Sequence, residues 1–331
     1  MDDLAHAIVS ALMIASAAGI ALWMAGAIYF DIGRGAKWRW LPAVGWLVGV
    51  AVLFAVWQPL WQPYLVLLAA TVIFLCWWFS QKPSHNRDWE ASVAVLPRAE
   101  LRNDVATIEN VRNNEYRSFD DFTPRYETRS YHLANLKTAD VIFFYWGSPW
   151  MSHPVLVFDF GPDGRVCMSI EVRYRKGQRY SLSRSLYRQQ ELIFVAVDER
   201  DAILRRTKHG RINQGFLYRL NVDADELRAS FLDYIDAINS IHEEPRWYHG
   251  LFANCTTSFY QLPRSQSRCD WRVIVNGRLD RALYEAGRLD RSLPFEELRR
   301  LAYINDIANA APEEGFGDHI RRELERIRHE R

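Results

Sequence analysis

The chain has 331 residues with 41 basic against 40 acidic side chains, so its bulk charge offers no footprint for a nucleic-acid partner. That length accommodates one sizeable domain and something smaller. Composition divides it near residue 80: the first 80 residues carry three basic and three acidic side chains, leaving 38 and 37 to the remainder.

Three apolar runs fill the first part. Ile8 to Phe30 is 23 residues without a charge, enough to cross a hydrocarbon core at about 1.5 Å per residue. Leu41 to Trp57 and Tyr64 to Phe79 are shorter and also uncharged. Gln58-Pro59-Leu60-Trp61-Gln62-Pro63 between them reads as the link of a helical hairpin. Trp57, Trp61, Tyr64, Trp77 and Trp78 lie at the run ends, where an aromatic belt would sit. The expectation is a membrane anchor of three transmembrane helices, about 8–30, 41–57 and 64–79, within residues 1–80. A cleaved signal peptide fits Ile8–Phe30 poorly, because no basic segment precedes it. Arg34, Lys37 and Arg39 in the first loop, with Lys82 and Arg87 after the third run, put the remainder of the chain in the cytoplasm by the positive-inside rule.

Beyond residue 80 the pattern changes to α+β. Val141 to Trp146, Val155 to Phe160, Arg165 to Tyr174 and Leu192 to Val197 are rich in β-branched and aromatic residues, and Gly161-Pro162-Asp163-Gly164 reads as a hairpin turn. Asp223 with Glu226 forms a capping box before Leu227, Phe231, Ile235, Ile238 and Ile241, which share one helical face up to Pro245. Asn254 is a suitable N-cap for another helix over Thr256 to Tyr260. Gly277-Arg278-Leu279-Asp280-Arg281 is echoed at Gly287-Arg288-Leu289-Asp290-Arg291, and Glu313 to Arg331 is a charged surface helix or tail.

Chemistry concentrates in two places. A cysteine, Cys255, stands at the predicted helix start in Asn254-Cys255-Thr256-Thr257, and His153 opens a strand about a hundred residues earlier. A thiol attacks as thiolate, and a helix N-terminus with a nearby imidazole lowers its pKa from about 8.5. The imidazole in turn needs a polar group to fix its tautomer. Glu171 on the next strand is the candidate orienter, provided the register cooperates. If Phe160 lies opposite Arg165, His153 faces Val172. An odd-length loop or a bulge brings Glu171 or Arg173 to its side.

Other residues carry plainer readings. Cys255 alone could be a small buried hydrophobe. Cys76 faces lipid or packs in the third run. Cys167 and Cys269 are structural, and would pair only in an oxidising compartment. His249 and His132 are alternative bases or surface residues. Arg173 to Arg179 is a solvated hairpin end or a contact for phospholipid headgroups. There is no Cys-x-x-Cys, His-Glu-x-x-His, phosphate loop or Gly-x-Ser-x-Gly, so metal, nucleotide and serine-hydrolase readings lack a motif, and no cofactor is expected.

A run of ordered motifs resembles the Lnb N-terminal periplasmic domain family. They are Asn110-Val111-Arg112-Asn113, Phe122 to Arg129, Ser152-His153, Ser169-Ile170-Glu171, Asp198-Glu199-Arg200-Asp201, Tyr218-Arg219-Leu220, Phe231 to Tyr234 and Asn254 to Thr257. The likeness runs from about residue 88 to 265 and continues more weakly to Tyr303-Ile304-Asn305. It implies a circularly permuted papain-like (NlpC-type) domain with an antiparallel sheet and packed helices over residues 81–265, followed by a helical extension over 266–331. The order His153 before Cys255 is similar to that of lecithin–retinol acyltransferases. What the resemblance implies is a bacterial inner-membrane acyltransferase with a periplasmic domain, against the charge bias. Cys255 would carry an acyl chain from a phospholipid donor to a lipoprotein amine or similar envelope acceptor. His153 would take the thiol proton and Glu171 would orient it, with Asn254, Ser169, Tyr145 and Arg173 in support. His249 departs from the expected asparagine after Trp247-Tyr248, and no large further domain follows. A cysteine hydrolase of peptide or amide bonds, and a membrane-anchored binding module without catalysis, are the alternatives.

Overall fold

The computed structural model describes residues 2–32, 37–210, 213–250 and 277–330. Cys255, Asn254, Cys269, Arg34 and the helix expected over Thr256 to Tyr260 lie outside the described residues. The chain divides into two units, residues 1–84 with 180–190, and residues 85–179 with 191–331.

The first unit is helical. Helix α1 (Asp2–Ala27) continues into a π-helical turn at Ile28–Ile32, and α2 (Trp40–Val56) and α3 (Trp61–Ser80) come next. Two of these, not the three expected, are long and apolar enough to cross a membrane: the stretch Leu4–Ile32 and Trp61–Ser80. Helix α2 stops at 17 residues, about 25 Å at 1.5 Å per residue against a hydrocarbon core of about 30 Å. Its end is local: Trp57 is already extended, and Gln58 precedes Pro59, whose ring disfavours helical backbone in the residue before it. Polar side chains join the helices, Trp46 Nε1 donating to Ala21 O at 3.1 Å and Ser16 Oγ lying 3.0 Å from Tyr64 Oη. Cys76 is exposed.

Residues 180–190 complete this unit and contain the short α4 (Leu182–Ser185). They are held by a buried carboxylate. Asp31 accepts from Gln189 Nε2 at 2.6 Å and from Trp78 Nε1 at 2.8 Å. Arg188 donates to Gln81 O at 2.7 Å and lies over the Trp78 ring, while Tyr187 stacks on Phe30.

The second unit is built on an eight-stranded sheet. In chain order its strands are β1 (Arg98–Arg102), β2 (Val105–Arg112), β5 (Tyr126–His132), β6 (Thr138–Trp146), β7 (Ser152–Asp159), β8 (Arg165–Arg173), β9 (Glu191–Val197) and β10 (Asn213–Arg219), with β3 (Glu115–Tyr116) and β4 (Phe122–Thr123) forming a separate pair. The order is β1-β2-β9-β8-β7-β6-β10, with β5 also on β2. All ladders are antiparallel except one parallel contact of β2 with β9 at Arg112 and Val197.

Strands β6 to β9 are apolar on both faces because helices cover both. On one face Val141, Phe143, Leu156, Phe158, Met168 and Ile170 pack against α6 (Ala224–Glu243) through Leu227, Phe231, Tyr234, Ile235, Ile238 and Ile241. Asp223 caps α6, accepting from Glu226 N at 2.8 Å. Each fully buried Leu, Ile or Phe contributes about 1.5–3 kcal/mol, so this face carries most of the stability of α6. On the other face Ile142, Phe144, Val155, Val157 and Cys167 meet α5 (Glu199–Thr207), α9 (Asn305–Ala310) and α10 (Phe316–His329). Helices α7 (Leu279–Glu285) and α8 (Phe295–Leu301) supply Leu279 and Leu298 to the first core. The charged C-terminal stretch is thus an amphipathic helix, not a tail: Phe316, Ile320 and Leu324 are buried.

Candidate functional site

Strand register decides what His153 can touch. The β7–β8 ladder pairs Asp159 with Arg165 and Val155 with Ser169. The connection Phe160 to Gly164 therefore has an odd number of residues, and the register carried two residues further sets His153 against Glu171. His153, Ser169 and Glu171 then share the face of Val155 and Cys167, beneath α5. His153 Nε2 lies 2.8 Å from Ser169 Oγ and 3.9 Å from Glu171 Oε1. Ser169 is the direct partner of the ring, and Glu171 is the more distant one.

Glu171 answers chiefly to arginines. It accepts from Arg206 Nη2 at 2.7 Å, and Arg205 and Arg112 approach at 3.7 and 3.9 Å. Helix α5 delivers Arg205 and Arg206, and the end of β2 delivers Arg112. Arg112 is fully buried, pairs with Asp201 at 3.1 Å and donates to Ser92 O at 3.0 Å. Asp201 also accepts from Asn114 N at 2.7 Å. Three guanidinium groups thus face two carboxylates around one imidazole. Burial alone would raise the Glu171 pKa, but Arg206, Arg112 and Arg205 outweigh it and hold the carboxyl well below the usual carboxylate range. Burial, then the charge of Arg206, pull His153 down to about 3 against the opposing pull of Glu171. The imidazole is therefore neutral at rest, and Nε2 is engaged by Ser169 while Nδ1 is the other ring nitrogen.

The remaining expected residues disperse. Tyr145 is on the opposite face of the sheet, where its hydroxyl donates to Asp280 at 2.7 Å. Arg173 shares the face of Glu171 but turns to other partners: it donates to Val93 O at 3.0 Å and Ala94 O at 2.6 Å and stacks on Trp89. It is buried, so the reading of a solvated hairpin end fails at Arg173. His132 lies 2.9 Å from Asp163 at the hairpin, at the far end of β7 from His153, about 20 Å away at 3.3 Å per residue. Cys167 is buried, and that burial pushes its thiol pKa well up, so it packs rather than reacts. Among the described residues no group of His, Cys, Asp and Glu is placed to hold a metal ion. The arginine cluster is what sequence reasoning missed. The pair Arg205-Arg206 reads locally as the usual basic last turn of a helix, and so gives no sign of the cluster.

Residues 122–276 match the family model of the Lnb N-terminal periplasmic domain. Over those residues the chain carries an Lnb N-terminal periplasmic domain. The Lnb domain includes His153, Ser169, Glu171, Arg205, Arg206 and Cys255, whereas Arg112, the candidate spans and α7 to α10 fall outside the match. With two apolar candidate spans beside an Lnb domain, this is a membrane-associated protein with a periplasmic domain. No curated protein and no solved structure matches the chain.

Proposed function

We propose that the protein is a multi-pass enzyme of the bacterial inner membrane that moves an acyl chain from a phospholipid, through a thioester on Cys255, to the amine of a lipoprotein or a similar envelope acceptor. The observation that carries the reading is the neutral His153, fixed through Nε2 by Ser169 within a domain family match that also spans Cys255. In the proposed cycle the Cys255 thiol gives its proton to His153 Nδ1, and the thiolate attacks the ester carbonyl of the donor. The ester C–O bond breaks, and the leaving alkoxide takes the proton back from the imidazolium. The acceptor amine then attacks the thioester, its proton passes to His153, and the thiol is regenerated as the amide forms. Glu171 stabilises the transient imidazolium against burial and the charges of Arg206, Arg205 and Arg112, which disfavour it and make His153 a weak base that must pass its proton on quickly. The fold proposed for this chemistry is a circularly permuted papain-like one.

The test is metabolic labelling with an alkyne fatty acid, followed by purification and hydroxylamine. Label on the wild type that hydroxylamine releases and that Cys255→Ala lacks is the expected result. A folded wild-type protein without label in the presence of donor lipid overturns acyl transfer in favour of a cysteine hydrolase or a binding module.

A further inference from the structure

On the face of the sheet opposite His153, a chamber of about 220 Å³ opens between the domain and the helices C-terminal to it. Tyr145 and Pro149 line one side, and Arg278, Asp280, Arg281, Phe295, Glu296 and Arg299 the other. All but Tyr145 and Pro149 lie beyond the matched family segment. Its floor is rigid. Asp280 is buried and accepts from Tyr145 at 2.7 Å, Tyr218 at 3.2 Å and Arg299 at 3.1 Å, so this carboxylate is satisfied without a ligand.

The rim is not satisfied in the same way. Among the described residues Arg281 pairs with two exposed carboxylates, Glu285 at 3.1 Å and Glu296 at 3.4 Å, which hold it weakly. Arg278 has no carboxylate partner among the described residues, and its guanidinium stacks over Trp150 at 4.9 Å. Its backbone sits in the left-handed region at φ 52°, pinned by a hydrogen bond from its N–H to Pro149 O at 3.0 Å. A side chain other than glycine costs energy there. Strain kept at an arginine that lines a chamber is the pattern of a binding group.

We propose that this chamber binds a phosphate group. The forks of Arg278 and Arg281 line the chamber together, with Arg299 held at its floor by Asp280, and two such forks suit an anion with several oxygens better than a carboxylate, which one fork satisfies. The incoming phosphate replaces the exposed Glu296 at Arg281 and takes up the charge of Arg278. Two sources share this chemistry, a phospholipid headgroup and a soluble phosphate. The site is independent of the thioester reading, since none of its residues belongs to the His153 cluster.

The experiment is calorimetric titration of the full-length protein in detergent with sodium phosphate at constant ionic strength. Wild type binds phosphate; Arg278→Gly weakens it at least tenfold with no loss of thermal stability, because glycine accepts the left-handed backbone; Glu296→Gln tightens it severalfold. Displacement of phosphate by dihexanoyl phosphatidylglycerol marks the lipid as the source, and its failure to displace marks a soluble phosphate. No binding at millimolar phosphate, or equal binding by wild type and Arg278→Gly, overturns the proposal.

Discussion

Acid should destabilise this protein through His153 before it touches the carboxylates. In the unfolded chain the imidazole titrates near 6.5, and in the native fold burial and Arg206 hold it to about 3. Below pH 6.5 the unfolded state therefore binds a proton that the native state refuses, and stability falls with falling pH by about 1.4 kcal/mol per unit. From pH 6.5 to 4.5 the integrated loss is about 2 kcal/mol. Glu171, depressed by its arginines, contributes with the same sign but lower down, its stabilisation present above the unfolded pKa near 4.5 and lost below it. The window between 6.5 and 4.5 thus belongs to the histidines, His153 foremost, with His85 and His209, which burial also depresses, adding in the same direction in both proteins compared below. Urea unfolding of the full-length protein, followed by tryptophan fluorescence at pH 7.0, 5.5 and 4.5, measures it. The stability difference between wild type and His153→Gln should shrink, or reverse in sign, by about 2.5 kcal/mol across that range. Parallel pH profiles for the two proteins would refute a buried neutral imidazole.

Other perturbations test the same geometry. Arg112→Met leaves Asp201 buried without its charge partner and should cost about 3–5 kcal/mol in the same unfolding assay. Ser169→Ala removes the hydrogen bond at His153 Nε2; a loss of about 1–1.5 kcal/mol corresponds to roughly tenfold slower thioester labelling, with Ser169→Thr restoring the rate and neither variant changing the fold. Asp31→Ala deprives Gln189 and Trp78 of their acceptor, and hydrogen exchange within 180–190 should rise by at least tenfold, equivalent to about 1.4 kcal/mol or more. Gly26→Leu should produce the same local opening, because a Cβ there collides with the hydroxyl end of Tyr187.

The four central strands were legible because each is an unbroken apolar run, with bounds within three residues of those observed at Thr138–Trp146, Ser152–Asp159, Arg165–Arg173 and Glu191–Val197. Helix α6 announced itself through Asp223 and its apolar stripe. Strands β1, β2 and β5 did not, because they mix charge with apolar residues and β2 is interrupted by a register shift between Ile108 and Val111, where Asn110 has φ 62°. The membrane segment was over-read: Leu41 to Trp57 has the composition of a span but, once its ends are fixed, not the length. At the site, a pattern of period two said that His153 and Glu171 could share a face, and one residue of loop length decided that they do. Nothing local said that Ser169 would be nearer than Glu171, or that Arg112, some 60 residues upstream of Glu171, would approach the same carboxylate. Those are consequences of strand order, which adjacent residues do not encode.

The segment 180–190 leaves the sheet after β8 and returns at β9, and between those points it is part of the helical unit. The chain therefore passes between the units three times, at 84/85, 179/180 and 190/191. A single cut after residue 84, which would shed an ordinary tethered ectodomain into the periplasm, leaves this one still threaded through its anchor. The anchor is in the same way no interchangeable leader: a domain begun at residue 85 would carry Tyr187, Arg188 and Gln189 without the rings and the carboxylate that hold them. Retention at the membrane is built into the interior of the chain, and swapping the first 84 residues for a foreign span would preserve attachment while removing that seat.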